Sequence, residues 1–218
     1  MKFDDGVVII WQIASDRPKI LKKLNGHSHK VMALAISPDG QWLASGGWDK
    51  TVRVWRLSDG ALQRQLDVSV PVNAIAFVRD GSLIAVGGHD PFIRLYDPIT
   101  GRAKGKLEGH QMGITDMSVS QDGQMLLSSS IDKTVRLWDL QTFTQSQIYE
   151  RHESQVFTVR FLPDDTSFIS AGRDGYVVHW DRASGKVLRS IKAHEKIVWS
   201  LAIAPNGKFV VSGSSDDT

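Results

Sequence analysis

The sequence predicts an all-β fold of four-stranded antiparallel blades set radially around an axis, and three observations predict it. A histidine recurs at His27, His110, His152 and His194, with intervals of 83, 42 and 42 residues. A ring-bearing residue recurs in step at Trp11, Trp55, Tyr96, Trp138 and Trp180. Asp-Gly or Asn-Gly pairs separate apolar runs at Asp39-Gly40, Asp80-Gly81, Asp122-Gly123 and Asn206-Gly207. A fixed period of about 40 to 45 residues, four short strands long, is the mark of such blades.

The elements follow in order within each repeat. In the third full repeat, residues 114–120, 125–130 and 134–139 are runs too short for a stable helix and of the right length for strands. Glycine adopts positive φ at little cost, so the Asp-Gly pairs read as hairpin turns. In the fourth copy Pro163-Asp164-Asp165 lacks the glycine, which predicts a looser turn. The run after the ring-bearing residue, such as 61–66 or 186–191, is more polar and reads as an outer strand. The inner runs are apolar on most positions, as suits strands covered on both faces. The whole chain, 1–218, reads as one domain with repeats at about 26–67, 68–108, 109–150, 151–192 and a fifth made of 193–218 plus 1–25.

These residues resemble the WD-repeat (WD40) β-propeller family, marked by Gly-His near the start of a repeat and Trp-Asp at its end. Gly26-His27, Gly109-His110, Trp138-Asp139 and Trp180-Asp181 match fully. Ala193-His194, Arg151-His152, Trp55-Arg56, Tyr96-Asp97 and Trp11-Gln12 match in part. The resemblance implies a hydrogen-bonded His, Ser, Asp and Trp within a blade. The matching sets are His27, Ser45, Asp49 and Trp55; His110, Ser128, Asp132 and Trp138; and His152, Ser170, Asp174 and Trp180. A fourth set, His194, Ser212 and Asp216 with Trp11, requires the two ends of the chain to share a blade. Each buried polar group in such a set has a partner, so the sets read as architecture and not as hydrolase triads. The second repeat breaks the pattern, with Val68, Val86 and Tyr96 at the His, Ser and Trp positions and Asp90 before Pro91. That blade is expected to rest on apolar packing alone and to be the softest.

The chain starts and stops inside a repeat, and Asp5 and Asp216 occupy the same repeat site. Two arrangements follow: a five-blade ring closed through a shared blade, or an open part of a larger ring. The second is favoured, because about seven residues would be duplicated in a closed ring. Open edges would invite pairing with another chain, self-association included.

Composition narrows the function. With 41% apolar and 23% charged residues the chain is an ordinary globular one. It has no cysteine, which removes disulfides, thiolate catalysis and thiolate metal sites. No apolar run approaches the ~20 residues of a membrane span, and no signal region opens the chain, so a cytoplasmic setting without membrane contact is expected. The net charge of +2 is scattered, and no basic block of the kind that tracks phosphates is present, so nucleic acid is not an expected partner. No phosphate-cradling loop, metal-ligand spacing or isolated carboxylate pair stands out, so no cofactor, metal or catalytic residue is assigned.

What remains is binding. Lys30, Met32, Trp48, Asn73, His89, Thr115, Ile131, Gln155, Phe157, Arg173 and Trp199 are expected on one rim of the ring. Trp48, Ile131, Phe157 and Trp199 are unusual there, and aromatic and Arg side chains are enriched at interface hot spots. The reading is a non-catalytic scaffold that recruits other proteins on the rim or axial face. The alternative is a small-ligand or enzymatic propeller with a site in the axial channel, where Arg160 stands against Ala35, Ala76, Ser118 and Ala202 in the other repeats.

Overall fold

The structure is a computed structural model, and it describes residues 6–13, 17–78 and 80–216. Every element in it is a β-strand. Two strands, β1 (Val8–Gln12) and β2 (Lys19–Leu24), form a two-stranded sheet. Four complete blades follow. The first is β3 (Val31–Ile36), β4 (Trp42–Gly47), β5 (Thr51–Arg56) and β6 (Leu62–Asp67). The second is β7 (Val72–Val78), β8 (Leu83–Gly88), β9 (Ile93–Tyr96) and β10 (Ala103–Leu107). The third is β11 (Ile114–Val119), β12 (Met125–Ser130), β13 (Thr134–Asp139) and β14 (Thr144–Glu150). The fourth is β15 (Val156–Phe161), β16 (Ser167–Gly172), β17 (Tyr176–Asp181) and β18 (Val187–Lys192). The last pair, β19 (Val198–Ile203) and β20 (Val210–Ser214), is again two-stranded.

Alternation explains why these sheets stack. Successive side chains on a strand point to opposite faces, and here both faces of the inner strands are apolar. Trp138 of the third blade packs with Leu95 and Leu107 of the second, and Trp180 of the fourth with Leu137 and Tyr149 of the third. Full burial of one large apolar side chain contributes roughly 1.5–3 kcal/mol, and each seam holds several. The core is therefore a series of slabs between blades.

At the two ends the half-sheets each lean on a neighbouring blade. β1–β2 leans on the first blade through Val8, Leu24, Leu43 and Trp55, and β19–β20 leans on the fourth through Ile169, Ala171, Val198 and Leu201. The two half-sheets do not pair, so the propeller is not closed by hydrogen bonds. The expected equivalence of Asp5 with Asp216 lies outside the described residues. The expected looseness of the Pro163-Asp164-Asp165 turn is not found. Asp165 takes the left-handed φ of 54° that glycine takes elsewhere, and its N–H donates to the Leu162 carbonyl at 3.0 Å, against 2.9 Å in the Gly40 and Gly123 turns. The strain is offset from outside the turn, where the Asp165 carboxylate accepts from the Gln121 N–H at 2.7 Å.

Candidate partner-binding rim

Three polar sets hold the blades in register below the rim. The Trp138 indole N–H donates to Ser128 Oγ at 2.8 Å, Ser128 Oγ lies 2.8 Å from His110 Nε2, and His110 Nδ1 lies 2.7 Å from Asp132. In the first blade the same contacts, through Trp55, Ser45, His27 and Asp49, measure 2.9, 2.8 and 2.9 Å. In the fourth, through Trp180, Ser170, His152 and Asp174, they measure 2.9, 2.8 and 2.8 Å. All three serines are 0% exposed. Each hydroxyl accepts from an indole and donates to an imidazole, and its burial keeps it from solvent.

Burial pushes the His27 and His110 imidazoles below the ordinary value of 6.5, and the facing aspartates oppose it only in part. Burial alone would raise Asp49, Asp132 and Asp174. Hydrogen bonds from the histidines and from nearby backbone N–H groups outweigh it and hold all three carboxyls below their usual range.

The ends supply three members of a fourth set. His194 Nε2 lies 2.7 Å from Ser212 Oγ and His194 Nδ1 3.0 Å from Asp216. Trp11 does not join them. It sits on β1, 52% exposed and away from β20, because the half-sheets are separate.

The second blade is not held by apolar packing alone. Val68 and Val86 are buried as expected, but Asp90 keeps a partner. The Arg94 guanidinium donates to both its carboxylate oxygens, at 3.0 and 2.5 Å. Lys106 Nζ stands 4.2 Å above the Phe92 ring beside it. The Asp90 pair is the first cause of the raised Arg94 pKa.

The rim has a construction that periodicity alone did not reveal. In every inner strand the register slips once, between Val31 and Ala33, Val72 and Ala74, Ile114 and Asp116, Val156 and Thr158, and Val198 and Ser200. Each slip is a β-bulge, which leaves one residue unpaired and re-aims its side chain. The bulged residues are Met32, Asn73, Thr115, Phe157 and Trp199. Asn73 and Thr115 turn sideways, donating to the Ile114 carbonyl at 3.1 Å and the Val156 carbonyl at 2.6 Å of the next blade. Met32 and Trp199 are exposed and Phe157 half-buried, with the Phe157 and Trp199 rings 4.7 Å apart.

The turns between second and third strands complete the rim. Trp48 is 36% exposed, its ring 5.8 Å from both His29 and His89, with Lys30 Nζ 5.7 Å from its face. Ile131 is half-buried, and Arg173 is exposed with its guanidinium 3.4 Å from Gln155. The rim residues thus gather into two ring clusters, Trp48 with His29 and His89, and Phe157 with Trp199.

Comparison with known proteins matches five copies of the WD domain, G-beta repeat, at residues 18–56, 61–97, 101–139, 143–181 and 185–218. The chain belongs to the WD-repeat family. It is 38% identical over 68 residues to the small ribosomal subunit protein RACK1 of Caenorhabditis elegans, covering 28% of this chain and 21% of that protein. It is 41% identical over 64 residues to RACK1 of Dictyostelium discoideum, covering 28% and 20%. It is 44% identical over 52 residues to the ribosome biogenesis protein BOP1 homolog of Monosiga brevicollis, covering 24% and 6%. The matches to these relatives thus span 21% of their length or less.

Within this WD-repeat frame the axial arginine is accounted for. Arg160 forms an ion pair with Asp116 of the preceding blade, and Asp116 also accepts from the Val159 N–H at 3.1 Å. Sequence reasoning passed over Asp116. Its signal was an acidic residue inside an inner strand, where the other repeats carry Ala33, Ala74, Thr158 and Ser200.

Proposed function

We propose that this WD-repeat protein is a non-catalytic scaffold that docks a partner peptide or domain on the bulge-bearing rim. Lys30, Met32, Trp48, His89, Ile131, Phe157, Arg173 and Trp199 supply the contacts. The observation that carries the reading is the in-phase bulge. It lifts Met32, Phe157 and Trp199 out of strand pairing, and Trp48 adds a further exposed ring. Such residues dominate binding energy at interfaces. Ligand chemistry in the axial channel has less support, since Arg160 is paired with Asp116. A cytoplasmic setting and a protein rather than nucleic-acid partner belong to the same proposal.

The names of the RACK1 relatives make purified small ribosomal subunits the first probe. Co-sedimentation of the wild type is expected to survive excess generic RNA and to be lost in Trp48→Ala/Trp199→Ala. The double variant should keep its circular dichroism and melting temperature. Equal binding by both proteins, competition by RNA, or unfolding of the double variant would each count against the rim.

A further inference from the structure

The two ends of the blades differ in charge. The connections into each first strand and the turns between second and third strands share one end, the rim. Turns between first and second, and between third and fourth, strands share the opposite end. There Asp39, Asp97, Asp122, Asp164 and Asp181 are held below the usual carboxylate range by hydrogen bonds from nearby hydroxyl and backbone N–H groups.

Around Trp48, on the rim, the balance is reversed. The carboxylates of the two turns that form its ring cluster are spent. Asp49 accepts from His27 at 2.9 Å, from the Ser28 N–H at 3.0 Å and from the Thr51 hydroxyl at 2.9 Å, and its side chain is 5% exposed. Both oxygens of Asp90 are taken by Arg94. What remains are donors. His29 Nδ1 accepts the Lys30 N–H at 2.8 Å, which puts the ring proton on Nε2. The Trp48 indole N–H, the His89 ring and the Lys50 ammonium have no hydrogen-bond partner among the described residues. Lys50 is exposed, two residues along from Trp48, and Lys30 Nζ stands 5.7 Å from the Trp48 ring.

We propose, resting on the rim reading above, that the Trp48 cluster takes an acidic segment of the partner: an extended peptide with an Asp or Glu carboxylate beside an apolar residue. The apolar side chain lies on the Trp48 ring, and the carboxylate accepts from the cations and N–H groups around it. The opposite face repels the same segment, so charge also fixes which face the partner meets. RNA would find rings and cations here too. Its affinity comes from several phosphates neutralised along a track, and Glu108 and Glu153 stand exposed in the next two rim connections.

The probe is a random dodecapeptide phage library, depleted on Trp48→Ala and then selected on the wild type. Recovered sequences are expected to place Asp or Glu beside a large apolar residue. As free labelled peptides they should bind the wild type more weakly as NaCl rises from about 50 to about 300 mM. Trp48→Ala should lose about thirtyfold in affinity, and Lys30→Gln/Lys50→Gln about tenfold, both with circular dichroism unchanged. Recovered sequences without an acidic excess, or a double lysine variant that binds as well as the wild type, would overturn the inference and leave the rim reading standing. Recovery of no Trp48-dependent peptide would overturn it too, whereas the rim itself stands or falls on the ribosomal co-sedimentation. Displacement of the peptide by decauridine RNA would assign the cluster to nucleic acid and overturn it.

Discussion

Ser128 shows how much depends on one hydroxyl. It satisfies both the Trp138 indole and the His110 imidazole where water has no access. Ser128→Ala leaves two buried polar groups without a partner, at about 1–3 kcal/mol each, so a loss of roughly 2–6 kcal/mol is expected in denaturant unfolding. Ser212→Ala, in the set without an indole, should cost clearly less; equal losses would mean that the indole bond contributes nothing. Acid acts on the same sets. His27 and His110 hold protons less tightly folded than unfolded, so the unfolded chain gains protons first and stability falls as pH drops below 6.5. Asp49, Asp132 and Asp174 are held down, and their contribution is present above 3.8 and lost as pH falls through their lower folded values. Guanidinium unfolding at pH 5 should therefore come at a lower midpoint than at pH 7.5. An unchanged midpoint would show that the imidazoles take up protons as readily in the folded chain as in the unfolded one.

At the scale of the strand and turn, the second blade departs most. Its turn carries Pro91 where the first, third and fourth blades have Lys50, Lys133 and Gly175 at φ of 64°, 75° and 74°. Proline cannot reach positive φ. The turn is recast accordingly, and β9 spans four residues where β5, β13 and β17 span six. Amides of β9 should exchange faster than those of β13, even with the Asp90–Arg94 pair in place, and equal protection would show that the ion pair replaces the lost set in full. Lys133 pays for its left-handed backbone where the fourth blade uses glycine. Lys133→Gly should stabilise by up to about 1 kcal/mol, since αL costs a side-chain-bearing residue about 1–2 kcal/mol and glycine's chain entropy returns part of that. A loss on that substitution would place the favourable contacts of the lysine side chain above the strain.

Strand order and the three full polar sets were legible in the sequence because both obey a strict period. The bulges were not, because a slip of register leaves composition unchanged, and Met32, Asn73 and Trp199 look alike until the ladder is traced. The partner of Arg160 was hidden for a related reason. Asp116 lies 44 residues away, next door only once blades are set side by side. Asp90 stands out in the sequence, before Pro91, but its pairing with Arg94 four residues on shows only once the side chains are placed.

For the whole molecule, the seams between blades matter more than any single blade. Apolar slabs fill every seam, but the polar cross-ties are unevenly spread. Between the second and third blades Asn73 reaches one carbonyl of the next inner strand. Between the third and fourth, Thr115, Asp116 and Ser118 all reach backbone atoms of β15, the Gln121 N–H meets Asp165, and the Tyr149 hydroxyl donates to the Arg182 carbonyl at 2.7 Å. These two blades should behave as one unit in limited proteolysis, with the first cuts falling outside residues 109–192; early cleavage at the 151–155 connection would show that the cross-ties add no rigidity.

The inner-strand ties Asn73, Thr115, Asp116 and Ser118 all lean the same way, each side chain gripping the backbone of the blade that follows it. A wheel with slanted spokes answers differently to clockwise and anticlockwise twist. Torque in one sense tightens these grips and in the other slackens them, so the molecule has a handed stiffness.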